Sequence, residues 1–240
     1  MQYKTQGVVL CTSRYSDTFS VAHVFTRDFG RMAYLLPKSG GKKSKVRASL
    51  FSPLSVLNME VEHLPLREIQ RLKEVERDFP LYEICADETK ISISFFLAEF
   101  LSKVLRETHE NKPLFDYLKH SVHVLEESHR GLGNFHLAFM FGLTRFLGIY
   151  PNLDDYRPGA YFDLLNGIFV QYMPPHHYYL AQAQSTYLSV FSRINYTNMH
   201  LFRMSRAERN ALIDYLLVYY RLHIYDFPPL KSLEVLRELF

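Results

Sequence analysis

The residues whose chemistry most clearly suggests a function are the cations of the stretch PKSGGKKSKVR, residues 37–47. Five basic side chains lie there within ten positions, and no acidic residue occurs between Asp28 and Glu60. Such side chains can neutralise phosphates, because each cation that pairs with a phosphate releases a condensed counterion. The glycines at 40 and 41 let the backbone adopt conformations that other residues avoid. The stretch therefore indicates a loop that binds a polyanion.

Other patterns that could carry catalysis are incomplete. The basic loop does not fit the phosphate loop of nucleotide hydrolases, because Gly41 and Lys42 are followed by Lys43 and not by Ser or Thr. His120 and His123 have the helical spacing of a ligand pair, but no carboxylate or cysteine nearby completes a metal site. Neither nucleotide hydrolysis nor a histidine metal centre is therefore predicted.

Three aspartates leave one enzymatic alternative. Asp154, Asp155 and Asp163 could hold Mg²⁺, which prefers carboxylate oxygens, and would then make the protein a metal-dependent nuclease. Their setting, YPNLDDYRPGAYFD, is more typical of turns, in which Asp bonds its own backbone. Cys11 and Cys85 are too few for a four-thiolate zinc site. The sequence therefore predicts no enzyme, no metal and no cofactor.

The charge of the chain is unevenly distributed. Residues 1–80 carry 13 Lys and Arg against 8 Asp and Glu, a balance of +5, whereas the other 160 residues have a balance of −2. This asymmetry indicates an anionic partner for the N-terminal part. Hydrophobic residues make up 48% and charged residues 22%, as in globular proteins. The N-terminus lacks a signal-peptide pattern and no apolar run could span a bilayer, so we expect a cytoplasmic location.

The first 80 residues predict a small β-barrel. Short runs rich in β-branched and aromatic residues recur there, and Asp28 and Gly30 supply the turn between two of them. Five strands with the basic loop between the third and the fourth fit a barrel of the OB type. Closure removes the strand edges that an open sheet would expose. We expect an OB-fold domain at residues 1–80.

From residue 81 onwards apolar residues recur at helical spacing. Seven of them between Ile93 and Leu105 form one stripe, and the segment NFHLAFMFGLTRFLGIYP is apolar around most of its surface. Residues 150–175 form a connector with a hairpin-like segment, and Ser205 with Glu208 predicts a capping box at the start of a late helix. The predicted fold class is therefore α+β, with an α-helical domain at residues 81–240.

A basic barrel with interspersed aromatic residues suits single-stranded nucleic acid, because cations follow the phosphates while rings stack the bases. The predicted DNA-binding residues are the cations of the barrel and its loop, with three rings as stacking platforms. They are Arg14, Arg31, Lys38, Lys42, Lys43, Lys45 and Arg47, with Tyr15, Tyr34 and Phe51 as the platforms. The alternative from another class is an adaptor that binds proteins through its barrel, for which the loop is incidental.

Several segments, in order along the chain, match one bacterial family. They are GVVLCTSRYSD, VFTRDFGRM, PKSGGKKSK with LFSPLSVL, FLAEFLSKVL, ENKPLFDYL and FLGIYPNLD. Through these segments, which span nearly the whole chain, it resembles RecO, the recombination and repair mediator of bacteria. The resemblance implies an OB domain, a helical domain and no turnover of a small molecule.

The resemblance also implies a set of partners. RecO-like proteins of the RecF pathway bind single- and double-stranded DNA, anneal complementary strands, join RecR, and help load RecA onto strands coated by single-strand binding protein. The acidic, apolar-ended tail of that protein docks on their helical domain, which implies a basic rim here. Because these proteins bind DNA, the resemblance also implies a nucleoid-associated location. The candidates for the rim are Arg203, Arg206, Arg209, Lys231 and Arg237.

The chain departs from many RecO-like sequences in one respect. Those sequences place four zinc-binding cysteines after a Gly-x-x-Pro segment, whereas the corresponding region YPNLDDYRPGAYFDLLNGIFVQYMPP has none. We therefore expect a variant in which turn hydrogen bonds and aromatic packing hold this connector together. The packing residues are Tyr156, Tyr161, Phe162 and Phe169.

Overall fold

The computed structural model describes residues 1–38, 46–105 and 109–240, apart from the side chains of 189 and 190. These residues form two compact units. The first contains residues 1–127 and 230–236, and the second contains residues 128–229 and 237–240. The domain boundary expected near residue 80 stays a prediction. No helix of the described residues is both long enough and apolar enough for a membrane span.

The first unit begins with a closed five-stranded barrel, which confirms the predicted OB-type architecture. The barrel order is β1-β2-β3-β5-β4, in which β3 and β5 are parallel and the other pairs antiparallel. A short 3₁₀ helix, Ala48–Leu50, precedes β4. The strands are β1 (Gln2–Arg14), β2 (Phe19–Thr26), β3 (Gly30–Pro37), β4 (Val56–Glu62) and β5 (Ile69–Arg77).

The barrel interior is filled by apolar side chains that alternate along the strands. Strand β1 pairs with both β2 and β4 at Gly7, which is opposite Thr26 on one side and Leu57 on the other. A Cβ atom on Gly7 would lie 2.4 Å from Cγ1 of Val24 and 2.6 Å from Cε of Met59. The close-packed interior therefore leaves no space for a side chain where the strand passes between its partners.

Helices of the first unit cover one side of the barrel. They are α1 (Tyr82–Ala86), α2 (Glu88–Val104) and α3 (Lys112–Glu127), and residues 230–236 contribute the start of α8 (Leu233–Leu239). The apolar stripe predicted between Ile93 and Leu105 is confirmed, because its members are buried. Both α2 and α3 contact β1. The barrel thus has one side packed against helices.

Two glutamates fix the ends of these helices. The Glu126 carboxylate accepts the N–H groups of Glu83 and Ile84 at 2.8 and 3.0 Å, at the start of α1. The backbone carbonyl of Glu126 accepts a hydrogen bond from Nζ of the buried Lys90 at 2.7 Å. Glu99 on α2 accepts the N–H groups of residues 231 and 232, just before α8. Such bonds satisfy helix-terminal groups that have no partner within their own helix.

The second unit is mainly helical, with a small sheet. Helix α4 is buried over most of its length, as its apolar surface predicts. The predicted hairpin is confirmed as β6 and β7, and β8, which the sequence did not indicate, pairs with β6. The elements are α4 (Leu132–Phe146), β6 (Tyr161–Asp163), β7 (Ile168–Val170), β8 (Tyr179–Leu180), α5 (Gln182–Ser185), α6 (Leu188–Phe191), a 3₁₀ helix (Met199–Leu201) and α7 (Arg206–His223).

The start of α7 carries the predicted capping box. The N–H of Ser205 donates to the Glu208 carboxylate at 2.7 Å, and the N–H of Glu208 donates to the Ser205 hydroxyl at 3.2 Å. These reciprocal bonds satisfy two backbone donors that the helix leaves unpaired. They also lower the pKa of Glu208, the backbone hydrogen bond with Ser205 being the main cause.

Candidate nucleic-acid interface

The outer face of β1, β2 and β3 is covered at one end and open at the other. Opposed residues of adjacent strands form rows on this face. Val8 and Phe25 share one row and are wholly buried, and Val21, two rows further on, is 4% exposed. In the last row Phe19 is 37% exposed and Tyr15 62%. OB barrels commonly bind ligands on the face of strands 2 and 3, and among the β2 residues named here the one in the last row, Phe19, is the most exposed.

Arg31 helps to keep the covering helix in place. Its Nη1 donates to the carbonyl oxygens of Ser102 at 2.8 Å and Leu105 at 3.1 Å, at the end of α2. A cation is favourable there because the helix dipole leaves a negative partial charge at this end. Arg31 was expected to bind DNA. In the structure its Nη1 instead joins the barrel to a helix, so we do not include Arg31 in the proposed interface.

Burial and the charge of Arg31 shift the pKa values of two groups on this face, Cys11 and His23. Burial raises the pKa of the Cys11 thiol, an effect that the charges of Arg31 and Lys103 oppose. Burial also lowers the pKa of His23, and the charge of Arg31 adds to that effect. A thiol with a raised pKa is a weak nucleophile. The structure therefore gives no sign of an activated thiol at Cys11, which is half-buried on this face.

The open end of this face is the barrel tip, which we define as residues 14–19 with Pro37 and Lys38. A tight turn links β1 to β2 there. The Ser16 hydroxyl accepts the N–H groups of Thr18 and Phe19 at 3.3 and 3.1 Å, which holds the turn closed. Tyr15 and Phe19, at the two ends of this turn, are both exposed.

Three predicted DNA-binding residues meet at the barrel tip. Lys38 is anchored to the turn, since its backbone N–H donates to Thr18 at 2.9 Å and its Nζ to the Ser16 carbonyl at 2.5 Å. Arg14 forms an ion pair with Asp17 at 2.5 Å, and both side chains are largely exposed. Exposed pairs of this kind are weak. Arg14 and Lys38, with the exposed ring of Tyr15, can therefore reach a ligand in solvent.

The other two predicted stacking platforms are not accessible. Tyr34 is wholly buried in the barrel core, where burial raises the pKa of its hydroxyl. Phe51 belongs to the same core and is 4% exposed. Neither ring has a free face for a base, so both drop out of the proposed interface. Tyr34 is buried because alternate side chains of a barrel strand point inward, whereas Phe51 follows the 3₁₀ helix before β4 and packs into the same core.

Arg47 lies apart from the barrel tip in the described structure. It is exposed and lines a groove of about 910 Å³ on the barrel. The groove is not a basic track, because its four cations face four acidic side chains. The cations are Lys4, Arg27, Arg47 and Arg77, and the acids are Asp28, Glu60, Glu74 and Glu76. Lys42, Lys43 and Lys45 lie outside the described residues.

The candidates for a basic rim divide between the units. Arg203 and Arg206 are exposed in the second unit, before and at the start of α7. Arg209 donates to the Met204 carbonyl at 2.6 Å, and Arg237 forms an ion pair with Asp214. These two guanidinium groups are thus already engaged within their unit. Lys231 is exposed and belongs to the first unit, unlike the other four candidates.

His136 lies close to Arg209 in the second unit. Burial lowers the pKa of His136 to about 3, and the charge of Arg209 contributes to the shift. Its ring also stacks on Phe240, with 5.7 Å between the ring centroids. The imidazole is therefore neutral at physiological pH and forms part of the core.

Hydrogen bonds around Asp163 hold the connector together. Its carboxylate accepts the N–H groups of Leu165 and Asn166 at 2.9 and 3.0 Å, and the Asn166 amide at 2.7 Å. Nε2 of His176 lies 3.3 Å away. Burial alone raises the pKa of Asp163, but these hydrogen bonds and His176 lower it overall. Phe162 and Phe169 pack edge to face beside this turn, 5.0 Å apart.

The nuclease alternative gains no support from this geometry. The Asp163 carboxylate is occupied by hydrogen bonds, whereas Asp154 and Asp155 are exposed turn residues. Within residues 1–38, 46–105 and 109–240, no group of three His, Cys, Asp or Glu side chains could hold a metal ion.

Sequence reasoning missed Phe19 and Asp17 as members of the interface. Phe19 opposes Tyr15 across the turn, since the N–H of Tyr15 donates to the Phe19 carbonyl at 3.2 Å. Asp17 pairs with Arg14. The segment RYSDTF contains the signal that could have found them, because a turn of polar residues between two aromatic residues brings the rings to the same end of a hairpin.

Two family models together cover almost all of the chain. Recombination protein O N terminal matches residues 1–77, and Recombination protein O C terminal matches residues 85–234. Proteins called DNA repair protein RecO from Phocaeicola vulgatus and Azobacteroides pseudotrichonymphae are 45% and 43% identical, each over 100% of both chains. The same protein of Porphyromonas gingivalis is 40% identical over 98% of both. The chain therefore belongs to the RecO family.

Proposed function

We propose that this chain is a non-enzymatic DNA-binding protein of recombinational repair, which anneals complementary strands and helps to load recombinase. One observation carries the proposal. Helices α2 and α3 pack against the barrel at β1, and the barrel tip presents Arg14, Lys38 and Tyr15 together, with Lys38 directly before the lysine-rich segment in the sequence. Cations and a ring on one surface are what single-stranded DNA requires.

The mechanism follows from charge neutralisation. Two complementary strands repel each other through their phosphates, and a set of cations that binds both lowers this repulsion. Lys42, Lys43 and Lys45 would extend the surface that starts at Lys38. Because every phosphate contact releases counterions, the logarithm of affinity should fall linearly with the logarithm of salt concentration, by about 0.7 per contact for single strands.

The test is a titration of fluorescent single-stranded DNA with the full chain at several salt concentrations. Replacing Lys42, Lys43 and Lys45 by Ala should lower the affinity, flatten the salt dependence and slow annealing. A matched control replaces Lys4, Arg27 and Arg77, whose groove contains as many acids as bases, and should change the slope less. Binding and annealing that survive the loop variant unaltered would show that the loop is not part of the DNA site.

Partners in this proposal are RecR, and through it RecA, together with the acidic tail of single-strand binding protein. The tail would meet the exposed Arg203 and Arg206, because Arg209 and Arg237 already have partners. A fluorescent tail peptide should bind the full chain, and an Arg203→Gln, Arg206→Gln variant should bind it several-fold more weakly. Lys231→Gln tests the remaining candidate separately. Binding to chromosomal DNA would place the protein in the cytoplasm, at the nucleoid.

A protein-binding adaptor is the second candidate. It is favoured by the groove of about 910 Å³, whose balanced charges suit a protein surface better than a polyanion. The adaptor predicts capture of a partner such as RecR in the absence of nucleic acid. It also predicts no shift of labelled DNA at low salt, where the DNA-binding proposal expects the strongest binding.

A further inference from the structure

We propose that the side chains of Tyr15 and Phe19 form a stacking site for unpaired DNA bases, and that this site lets the barrel distinguish single strands from duplex. The inference rests on the proposed DNA-binding function and names the part of the ligand that is recognised. Arg14 and Lys38, which flank the two rings, would hold the phosphates on either side.

The two rings lie on the same side of the hairpin. Arg14 is opposite Ser20 in the register of β1 and β2, and the N–H of the next residue, Tyr15, donates to the Phe19 carbonyl at 3.2 Å. Tyr15 and Phe19 are therefore opposed across the antiparallel pair. Opposed side chains in such a pair share a face and approach closely. Pro37 is opposite Phe19 on β3 and extends the same row.

Among the described outer-face residues of β2, this row is more exposed than the rows of Phe25 and Val21. Phe25 and Val21 point the same way as Phe19 along β2, and both are buried. Phe19 and Tyr15 continue this face into solvent. A contiguous exposed apolar patch with a polar rim commonly marks a binding surface. A base stacked there would cover the rings much as α2 and α3 cover the rows before them.

The charges around the row select the class of ligand. Arg14 precedes Tyr15 and Lys38 follows Pro37 in the chain, and both cations bond to residues of the same turn, Arg14 to Asp17 and Lys38 to Ser16. Asp17 is the acid of the turn, and it pairs with Arg14. Rings between cations match a nucleotide strand, in which bases alternate with phosphates. In a duplex the bases already stack on their neighbours, so the rings find no free base face, whereas the cations still find phosphates.

The experiment compares three labelled probes of equal length with the full chain at one salt concentration. They are oligothymidylate, a strand with abasic sites in place of the bases, and a duplex. We expect the unaltered protein to bind oligothymidylate about tenfold more tightly than the abasic strand, the effect of roughly one stacked base. The variant Tyr15→Leu, Phe19→Leu should lose that advantage and should bind the abasic strand and the duplex as the unaltered protein does.

A conservative variant, Tyr15→Phe, Phe19→Tyr, keeps both rings and should behave like the unaltered protein. Urea unfolding of each variant checks that the barrel is intact. Equal affinity of the unaltered protein for thymidylate and abasic strands would overturn the stacking site without the need for any variant. An equal loss on all three probes in the Leu variant would also overturn it. Failure of the unaltered protein to bind any probe would instead refute the proposed DNA-binding function itself.

Discussion

Replacement of Arg31 by Gln separates a structural arginine from a DNA-binding one. Nη1 of Arg31 donates to the carbonyls of Ser102 and Leu105 at 2.8 and 3.1 Å. A hydrogen bond from a charged donor contributes about 1.5–3 kcal/mol, and a cation at a helix C-terminus contributes about 0.3–1 kcal/mol. Because one nitrogen makes both bonds and the side chain is only partly buried, we expect the free energy of unfolding to fall by about 2–3 kcal/mol.

The assay is urea unfolding followed by circular dichroism, together with the single-strand titration. The matched control is Arg14→Gln, because Arg14 is the same residue type in an exposed ion pair. Arg14→Gln should leave the unfolding free energy nearly unchanged and lower DNA affinity, whereas Arg31→Gln should do the reverse. Arg31→Lys keeps the charge and one donor, so it should recover about half of the lost stability. The reasoning is wrong if Arg31→Gln weakens DNA binding as much as Arg14→Gln while stability is unaffected.

Three further predictions follow from single contacts. Asp17→Asn removes the acid that competes with phosphate for Arg14, so DNA affinity at low salt should rise by up to about fivefold; an unchanged affinity in the same titration would show that the pair does not compete. Gly7→Ala places a methyl group 2.4 Å from Cγ1 of Val24 and should lower the unfolding free energy by about 1–3 kcal/mol; urea unfolding at full stability would contradict the packing described. His136 has a pKa of about 3 when folded against 6.5 as its ordinary value. The unfolded chain therefore binds its proton first, and stability should decrease as the pH falls from about 6.5 towards 3, by up to about 1.4 kcal/mol per pH unit. Thermal unfolding across this range should show the loss, and His136→Leu should make the curve flatter.

Much of the fold could be predicted because its signals are local. The turn between β2 and β3 needs a residue such as Gly30 with a positive φ, and the structure has φ of 67° there. The capping box of Ser205 and Glu208 lies within four consecutive residues. Periodicity identified the barrel strands and the stripe of α2. By contrast, β8 is two residues long and is defined by its pairing with β6, so no local sequence pattern predicts it.

The candidate site shows where local signals end. Composition and local pattern were enough to predict that the N-terminal part is basic, that it forms strands, and which residue types could contact DNA. Which of those residues are accessible depends on how distant segments pack. Arg14 and Arg31 are the same residue type on one barrel, and Tyr15 and Tyr34 likewise. Arg31 is engaged by a carbonyl 71 residues away in the chain, and Tyr34 points into the barrel. Accessibility depends on which distant segment packs over a residue, and the free energy of that packing belongs to the whole fold and not to any short stretch of chain.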